Sequence, residues 1–403
     1  MKSSNSDKLR NIVTIALTIM MAVTSFVAGF LINDVWEQRN AEPSAQNEHG
    51  EMSVFWEAWD KVEASFIGEV PNGTSRAYAA IRGSIALLND PYTVFIEPQV
   101  REQERVELRG NFGGIGVILS RRETGGEVLL VPTPDNPAVE AGILDGDVLL
   151  AVDGQRITPE MSIDEIRSLV TGEKGTSVVL TVRHPDSATV VDITIERADI
   201  LLPSVFYRVL EEDPEIGYIQ LSRFSAETSG EMETAVETLT DLGVSQMVID
   251  MRDNGGGLLN AAIDVADHFL DDGLILVQDS RGERQDFEAD RQTIAGPEIP
   301  VIVLINGGTA SASEILAGAL QDRGRATLLG TQTYGKGSVQ LVYDLSDGSS
   351  IHVTSARWYT PDGTQIDGQG LVPDIIVEPS ADAIAEGRDE QLSAAVAFLQ
   401  NGD

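Results

Sequence analysis

The most apolar part of the chain lies near its N-terminus. Residues 11–32, NIVTIALTIMMAVTSFVAGFLI, contain no charged residue, and a helix of this length spans the roughly 30 Å hydrocarbon core of a bilayer. Basic residues precede the run and acidic residues follow it, which by the positive-inside rule leaves the N-terminus in the cytoplasm. The pattern predicts a cytoplasmic N-terminus (1–10), a transmembrane signal-anchor (11–33) and a polar linker (34–50).

This prediction places the protein in the cell membrane as a single-pass protein. Its main part is then extracytoplasmic, either periplasmic or extracellular. A cleaved signal peptide is one alternative, although the apolar run exceeds the usual signal-peptide core of about 7–15 residues. A buried core helix is the other alternative, and the charges on both flanks favour membrane insertion over it.

The remaining chain changes its pattern of apolar residues three times. Residues 51–107 carry apolar side chains at three- and four-residue steps, which predicts an N-terminal helical region. Residues 108–198 contain short β-rich runs punctuated by glycine, which predicts a small β-rich module. In residues 199–380, apolar strand-like runs alternate with helical patterns, which predicts an α/β core with a largely parallel sheet. Residues 381–403 read as a C-terminal helix.

Composition removes several classes of function. The net charge of −36 argues against nucleic acid as a partner, because phosphate binding needs clustered lysine and arginine. The absence of cysteine excludes disulfides, thiolate nucleophiles and thiolate metal sites. Nothing in the sequence implies a metal or a cofactor.

Lysine is unusually rare, and its last occurrence is informative. Beyond Lys174 the only lysine is Lys336, in TYGKGSVQ, whereas arginine supplies the other positive charges. A lysine kept where arginine serves elsewhere indicates a site that needs a neutral amine, which arginine cannot provide. Compositional bias is the alternative explanation.

Ser311 lies where a strand meets a helix. The segment VIVLINGGTASASEILAGALQD reads as a strand, a glycine turn and a helix that begins near Ser311. With Glu314 three residues later, Ser311 fits a capping box, and this alternative predicts no catalytic role. The same position also suits a nucleophile, because free backbone N–H groups at a helix start can stabilise an oxyanion.

A serine nucleophile needs a base, and the histidines are poor candidates for it. They lie in the linker, at the edge of the β-rich module, in a helix and in a strand, where surface or packing roles are expected: His49, His184, His268 and His352. Lys336 follows Ser311 by 25 residues, and a parallel sheet would bring successive strand ends to one edge. Burial would leave its amine neutral. Gln340 either orients that amine or is an exposed polar residue of a strand.

A glycine loop offers the second donor for an oxyanion. In VIDMRDNGGGLLNAA a buried strand runs into three glycines before a helix. The N–H of Gly256 or Gly257 could serve as the donor, or the segment is a plain connecting loop. It is not a phosphate-binding loop, because the Gly-Lys-Ser/Thr ending is missing.

Taken together, four segments resemble the carboxy-terminal processing peptidases, which are PDZ-containing serine–lysine proteases also called tail-specific proteases. They are NGGTASASEILAGALQDRGRATLLGTQTYGKGSVQ, DPYTVFIEPQ with GNFGGIGV, NPAVEAGILDGDVLLAVDGQ and RWYTPDGTQIDGQGLVPDIIVE. The resemblance covers residues 51–380 in the family's order. It implies a crotonase- and ClpP-like protease core with an inserted PDZ domain (108–198).

The resemblance also assigns roles to single residues. It implies that Ser311 is the nucleophile, that Lys336 is the general base and that Gln340 orients the lysine. The Ala312 N–H and a glycine of 255–257 would form the oxyanion hole, with Gly255 standing where many relatives have proline. Asp322 matches a residue that we regard as supporting structure.

In the PDZ domain the resemblance implies capture of a substrate C-terminus. The backbone of FGGIGV would hold the terminal carboxylate, and a substrate tail would add beside the next strand. The residues concerned are Gly114, Ile115, Gly116 and Val117. The expected partners are proteins with unstructured apolar C-termini, the expected activity is endopeptidase cleavage through an acyl-enzyme, and a homo-oligomer is expected because many members form one.

Two other functions compete with this hypothesis. A catalytically silent, membrane-anchored PDZ scaffold would have lost Ser311, Lys336 or the glycine loop, and all three are present. A crotonase-type acyl transferase would need a coenzyme A site, and it would explain neither the PDZ module nor the lysine.

Overall fold

The computed structural model describes residues 44–122, 126–185, 189–290 and 293–401, and it divides the chain into two compact units, Met1–Ala77 and Tyr78–Asp403. The predicted signal-anchor lies outside the described residues. In the described part of the chain, no helix is long and apolar enough to cross a membrane.

Helix α1 (Ser44–Ser65) belongs to the first unit. Helix α2 (Gly73–Ala86) begins in the first unit and ends in the second. Aromatic side chains of α1 contact each other, with Phe55 stacked on Trp59 at a ring-centroid distance of 6.4 Å. The Arg76 guanidinium lies 4.9 Å from the Trp59 ring centroid, which is a cation–π contact.

The predicted helical region, residues 51–107, is interrupted by a strand. After α2 the chain turns through Asp90 and Pro91, forms strand β1 (Val94–Ile96) and enters helix α3 (Pro98–Arg109). Helical periodicity could not reveal β1, because its partner strand lies more than 250 residues further along the chain. The predicted helical region therefore contains one short strand between its helices.

The β-rich module forms as predicted and extends slightly beyond residue 198. A ribbon of β2 and β9 joins it to the rest of the chain, and a sheet in the order β3-β4-β5-β7-β8, with β6 beside β5, encloses an apolar core with helix α5. The elements are β2 (Asn111–Gly114), β3 (Val117–Arg121), β4 (Val128–Pro132), α4 (Pro137–Glu140), β5 (Asp147–Val152), β6 (Gln155–Arg156), α5 (Ile163–Val170), β7 (Ser177–Arg183), β8 (Val190–Glu196) and β9 (Ala198–Leu201).

The alternating pattern of residues 199–380 produces the predicted parallel sheet. Its strand order is β10-β11-β12-β15-β16-β19, and all pairs except β10 with β11 are parallel. Helices α6, α7 and α8 pack into the main apolar core, and α10 packs into a second cluster with other sheet residues. The elements are β10 (Val205–Val209), β11 (Ile216–Leu221), α6 (Thr228–Asp241), β12 (Gln246–Asp250), α7 (Leu259–Asp267), β15 (Val301–Ile305), α8 (Ala312–Asp322), β16 (Thr327–Gly330), β19 (Ile375–Ile376), α9 (Ala381–Glu386) and α10 (Glu390–Asn401).

A separate antiparallel sheet completes the second unit. Its order is β1-β18-β13-β14, and β17 pairs with β18. The new strands are β13 (Leu274–Ser280), β14 (Glu283–Glu288), β17 (Ser338–Asp344) and β18 (Ser350–Tyr359). Because β15 and β16 are parallel neighbours, the loops that follow them start at the same edge of the parallel sheet. One loop leads to Ser311 and the other leads to Lys336.

Candidate active site

Ser311 occupies a strained turn at the start of α8. Its φ of 58° and ψ of −119° lie in a region that non-glycine residues seldom adopt. The preceding strand β15 is buried at every position, and α8 is buried from Ala312 to Leu320. The serine is itself half-buried. The surrounding core therefore holds a local conformation that an isolated segment would avoid.

Glu314 connects the turn of Ser311 to the turn of Lys336. Its carboxylate is fully buried, and Oε2 accepts the backbone N–H of Ser311 at 2.8 Å and that of Lys336 at 2.9 Å. Oε1 accepts the Thr333 hydroxyl at 2.5 Å and the Gly335 N–H at 2.7 Å. The helix-capping alternative is therefore correct for the bond from Ser311 N–H to Glu314, and the same carboxylate also fixes the lysine turn.

The Lys336 side chain is half-buried and faces an aromatic ring. Burial lowers the pKa of its amine, and the carboxylates of Glu104 and Glu314 only partly offset this lowering. Its Nζ lies 5.6 Å from the centroid of the Tyr92 ring. No hydrogen bond links Lys336 Nζ to Ser311 Oγ in the described residues, although Glu314 holds the two backbones together.

Tyr92 and Glu104 are neighbours of the lysine that the sequence analysis missed. Tyr92 belongs to a turn in which the Thr93 hydroxyl donates to Asp90 at 2.6 Å and accepts the Thr354 N–H of β18 at 3.1 Å. The only available signal was the segment DPYT, which carries part of the family resemblance.

Glu104 is held on α3 by two basic side chains. Its carboxylate lies 2.8 Å from a guanidinium nitrogen of Arg101 and 3.3 Å from Nε2 of His352. The His352 ring therefore lies beside Glu104, although its Nε2 makes no hydrogen bond among the described residues. The two other described histidine side chains have partners away from Ser311, since His184 contacts Asp147 and His268 contacts Ser229.

Gln340 lies near the lysine turn, but its side chain points back along its own strand. Nε2 donates to the Ser338 hydroxyl at 2.8 Å and to the Ser338 carbonyl oxygen at 3.3 Å. Within the described part of the chain, no hydrogen bond joins Gln340 to Lys336.

The structure brings one glycine of the 255–257 loop directly against the serine. A Cβ atom added to Gly256 would lie 2.8 Å from the Cβ of Ser311 and 3.0 Å from the Ala312 nitrogen. The Gly256 φ of +101° is another reason for glycine at this position. Its own N–H donates to Asn254 Oδ1 at 2.9 Å. Gly257 packs instead against the backbone of Phe224.

Asn254 locks the glycine loop to the start of α8. Its carbonyl oxygen accepts the Ala310 N–H at 3.0 Å and the Ser313 hydroxyl at 2.9 Å. For the Ala312 N–H, the structure shows no acceptor among the described residues. This arrangement leaves a backbone donor directly after the candidate nucleophile.

Asp322 is not brought into this site. It is the last residue of α8, roughly 16 Å along the helix from Ser311, and its carboxylate accepts the Asp362 N–H at 2.9 Å. Within the described residues, no group of three or more His, Asp or Glu side chains is arranged to hold a metal ion.

Three of the four predicted tail-binding residues line one groove of the β-rich module. A cavity of about 730 Å³ is bordered by Ile115, Gly116 and Val117, by residues of α5 and by β9. Gly114 ends β2 just outside this lining. The backbone N–H groups of Ile115 and Gly116 have no acceptor in the part of the chain that the structure describes, as a site for a terminal carboxylate requires.

Comparison with known proteins agrees with this arrangement. The model of peptidase family S41 matches residues 215–377, and a PDZ domain model matches residues 130–184, within the β-rich module. The fold is thus a peptidase core with an accessory PDZ domain.

Similar proteins carry the same functional name over most of the chain. A chloroplastic carboxyl-terminal-processing peptidase 2 of Arabidopsis thaliana is 34% identical, covering 93% of this chain and 78% of its own length. A carboxy-terminal-processing protease of Bartonella bacilliformis is 35% identical, and the match covers 92% of this chain and 86% of the relative. The solved structure of a photosystem II D1 C-terminal processing protease is 34% identical, with a TM-score of 0.46. The match covers 80% of this chain and 87% of that protein.

The chain belongs to the carboxyl-terminal-processing peptidases of family S41. It is a serine-type peptidase, as the sequence resemblance predicted.

Proposed function

We propose that the protein is an endopeptidase in which Ser311 and Lys336 act as a catalytic dyad on protein C-termini. The observation that carries this proposal is the Glu314 carboxylate, which holds the backbones of both residues from one buried position. The lowered pKa of Lys336 adds support, because a base must be unprotonated to accept the serine proton.

The reaction would proceed in two halves. The neutral Lys336 amine accepts the Ser311 proton as Oγ attacks the peptide carbonyl carbon, and the Ala312 N–H stabilises the oxyanion. The Gly257 N–H is the candidate second donor, because the Gly256 N–H is already donated to Asn254. The lysine then protonates the leaving amine, which departs and leaves an acyl-enzyme. In the second half, Lys336 takes a proton from water, the hydroxide attacks the ester, and Ser311 recovers its proton.

This mechanism requires the lysine side chain to move. In the resting structure its amine faces Tyr92, so its long flexible chain must rotate towards Ser311 before attack. Gln340 would orient the amine only after its side chain breaks its hydrogen bonds to Ser338. Apo structures often lack catalytic hydrogen bonds that form with bound substrate.

The PDZ groove would capture the substrate tail. The free N–H groups of Ile115 and Gly116 would bind its terminal carboxylate, and the apolar groove between β3 and α5 would take its last side chains. The substrates would therefore be proteins with unstructured, apolar C-termini.

We also propose that the protein acts outside the cytoplasm, anchored by residues 11–33. The support is the uncharged run of residues 11–32 and its flanking charges. Fractionation of the full chain, followed by carbonate extraction of the membranes, tests the anchor. Recovery of the intact chain in the soluble fraction would contradict it.

The dyad is tested by cleavage of a tagged protein that ends in an apolar tail. We expect Ser311→Ala and Lys336→Ala each to lower kcat/KM by at least about a thousandfold. Lys336→Arg should be as damaging as alanine, because arginine stays protonated. Lys174→Arg, a change at an exposed lysine of the β-rich module, is the matched control. Wild-type rates in either Lys336 variant would refute the dyad.

A further inference from the structure

One strand beside the candidate active site has an unpaired edge. Strand β17 pairs only with β18. Its central residues Leu341, Val342 and Tyr343 are 50%, 40% and 52% exposed. Among the described strands, none pairs with the other side of β17.

The hydrogen bonds of the hairpin show which backbone groups point outward. The Leu345 N–H donates to the Ser349 carbonyl oxygen at 2.8 Å. Hydrogen-bonded and non-bonded pairs alternate along an antiparallel ladder, so Leu341 and Tyr343 bond to β18. Gln340, Val342 and Asp344 therefore direct their backbone groups away from it.

The opposite side of β18 supports this assignment. There Thr354 donates its N–H to the Thr93 hydroxyl, and Thr354 is the register partner of Gln340. Since Thr354 faces away from β17, Gln340 also faces away from β18. The backbone N–H and carbonyl of Val342 have no partner among the described residues.

Between Gln340 and Tyr343 this edge has neither a charged residue nor proline, and its one irregularity is the register shift between Val339 and Gln340. Proteins usually guard such edges with charges, proline or bulges, because a bare edge pairs with other chains. Strand β14, an edge of the same sheet, carries charges at Glu283, Arg284, Asp286 and Glu288. In β17 the run from Val339 to Tyr343 contains no charged residue.

Strand β17 begins close to the candidate base in the chain. Lys336 precedes β17 by two residues, and the Gly337 carbonyl oxygen accepts the Trp358 N–H of β18 at 2.8 Å. A register shift between Val339 and Gln340 separates this first part of the strand from the exposed part. The exposed part of the edge therefore begins at Gln340, four residues after Lys336 in the chain.

We propose that an extended segment of the protein substrate adds to the free edge of β17 as a further strand and is thereby delivered to Ser311. The proposal rests on the proposed function and specifies how that site holds its substrate beyond the PDZ groove. The occupant is an unfolded polypeptide, because only a chain with free backbone groups can pair with Gln340 and Val342.

Strand addition also predicts a side-chain preference. Leu341 and Tyr343 project to one face of the hairpin, and Val342 projects to the other beside His352. Substrate residues on the face of Leu341 and Tyr343 would be apolar at every second position. Their backbone amides would alternate between bonding to β17 and facing away from it.

The first test uses the wild-type full chain and therefore needs no variant. Peptides extending about six residues on either side of the cut site receive one backbone N-methyl group each. We expect kcat/KM to fall roughly threefold to tenfold at alternate residues on one side of the cut, as the loss of single hydrogen bonds predicts. Ser311 labelling by a small fluorophosphonate, which is too short to reach β17, is measured in parallel.

The second test changes the edge itself. Val342→Pro removes one outward N–H and leaves the ladder to β18 intact, and edge strands tolerate proline at such positions. We expect it to lower kcat/KM for the long peptide at least threefold without slowing fluorophosphonate labelling. Val342→Ala keeps the N–H and should therefore lower kcat/KM for the long peptide less than Val342→Pro does.

The outcomes distinguish failure of strand addition from failure of the proposed serine chemistry. Uniform or absent N-methyl effects on an enzyme that the fluorophosphonate labels would overturn strand addition alone. Long-peptide cleavage by Val342→Pro at the wild-type rate would do the same. Failure of the wild-type enzyme to react with the fluorophosphonate would remove the proposed serine chemistry, and strand addition with it.

Discussion

At the scale of single residues, the four hydrogen bonds of Glu314 explain how two turns that are distant in sequence are held together. Two of the donors are the backbone N–H groups of Ser311 and Lys336, and the others come from Thr333 and Gly335. A carboxylate has enough lone pairs to accept all four, whereas a glutamine side chain has one oxygen and adds two donors. The negative charge is therefore needed in addition to the shape.

We expect Glu314→Gln to lower kcat/KM at least about a hundredfold, because small displacements of catalytic groups have effects of that size. It should also reduce the free energy of unfolding by about 1–3 kcal/mol for each buried donor that loses its acceptor. Cleavage of the tagged substrate and thermal unfolding measure the two effects. Glu283→Gln, at an exposed position of β14, is the control. Equal behaviour of the two variants would contradict this role.

The Lys336 amine predicts the pH dependence of activity. Its pKa in the folded protein is lowered, and only the neutral form accepts a proton. Activity should therefore be low in acid and rise with pH, about tenfold per unit, until it levels above the folded pKa. The free energy of unfolding should also rise over the interval between the folded and the unfolded pKa, where only the unfolded state binds the proton. A rate profile that falls with rising pH between 6 and 9 would contradict lysine as the base.

The ring of Tyr92 should shift that profile. An aromatic face stabilises the ammonium form, so replacing it by leucine should move the acid limb of kcat/KM to lower pH by about half a unit to one unit. Tyr92→Phe keeps the ring and serves as control. The two carboxylates that act on Lys336, those of Glu104 and Glu314, are unchanged in both variants. Identical profiles for leucine and wild type would show that the ring has no such effect.

At the scale of elements, the strand–loop–helix units decide which glycines are essential. Gly256 adopts positive φ against Ser311 and Ala312, whereas Gly255 has open space around its Cβ position. We expect Gly256→Ala to lower kcat/KM at least about tenfold through displacement of the serine turn, with strain of about 1–3 kcal/mol. Gly255→Ala should retain near-wild-type activity, and equal kcat/KM for the two variants would contradict the difference.

The same elements show how far the sequence could be interpreted. The strand, glycine turn and helix around Ser311 were predictable, because their apolar periods and glycines are local signals. The neighbourhood of Lys336 was not, because Tyr92 and Glu104 reach it from elements more than 200 residues earlier in the chain. The resting position of Gln340 was also beyond prediction, since it depends on which of two nearby groups its amide contacts.

At the scale of the whole molecule, Arg252 fastens the C-terminal helix to the strand that enters the glycine loop. Its guanidinium bonds to Asp250 at the end of β12 and to both carboxylate oxygens of Asp389, just before α10. It also reaches Gln391 at 3.1 Å. Tyr218 of β11 donates its hydroxyl to Asp250 at 2.7 Å. The Arg252 guanidinium therefore links the start of the C-terminal helix α10 to strand β12 of the parallel sheet. Asp250 extends this link to β11 through Tyr218.

Removing the Asp389 charge should weaken this connection in a pH-dependent way. Burial alone raises the pKa of the Asp389 carboxyl, but the bonds from Arg252 and Leu392 lower it below its usual range. Its stabilising contribution is therefore present above pH 4 or so, the unfolded value, and is lost as pH falls through the folded pKa. Because the side chain is 39% exposed, solvent screening limits the effect to about 1 kcal/mol.

We therefore expect Asp389→Asn to unfold at a lower temperature than wild type at pH 7, by a few degrees for a chain of this size. The difference should shrink as the pH is lowered towards 3 and below, because the wild-type carboxyl becomes protonated as the pH falls through its folded pKa. Asp382→Asn, in the first turn of α9 and exposed, should leave the unfolding temperature unchanged at both pH values. A constant difference between wild type and Asp389→Asn across this pH range would show that the ionised carboxylate is not what secures α10.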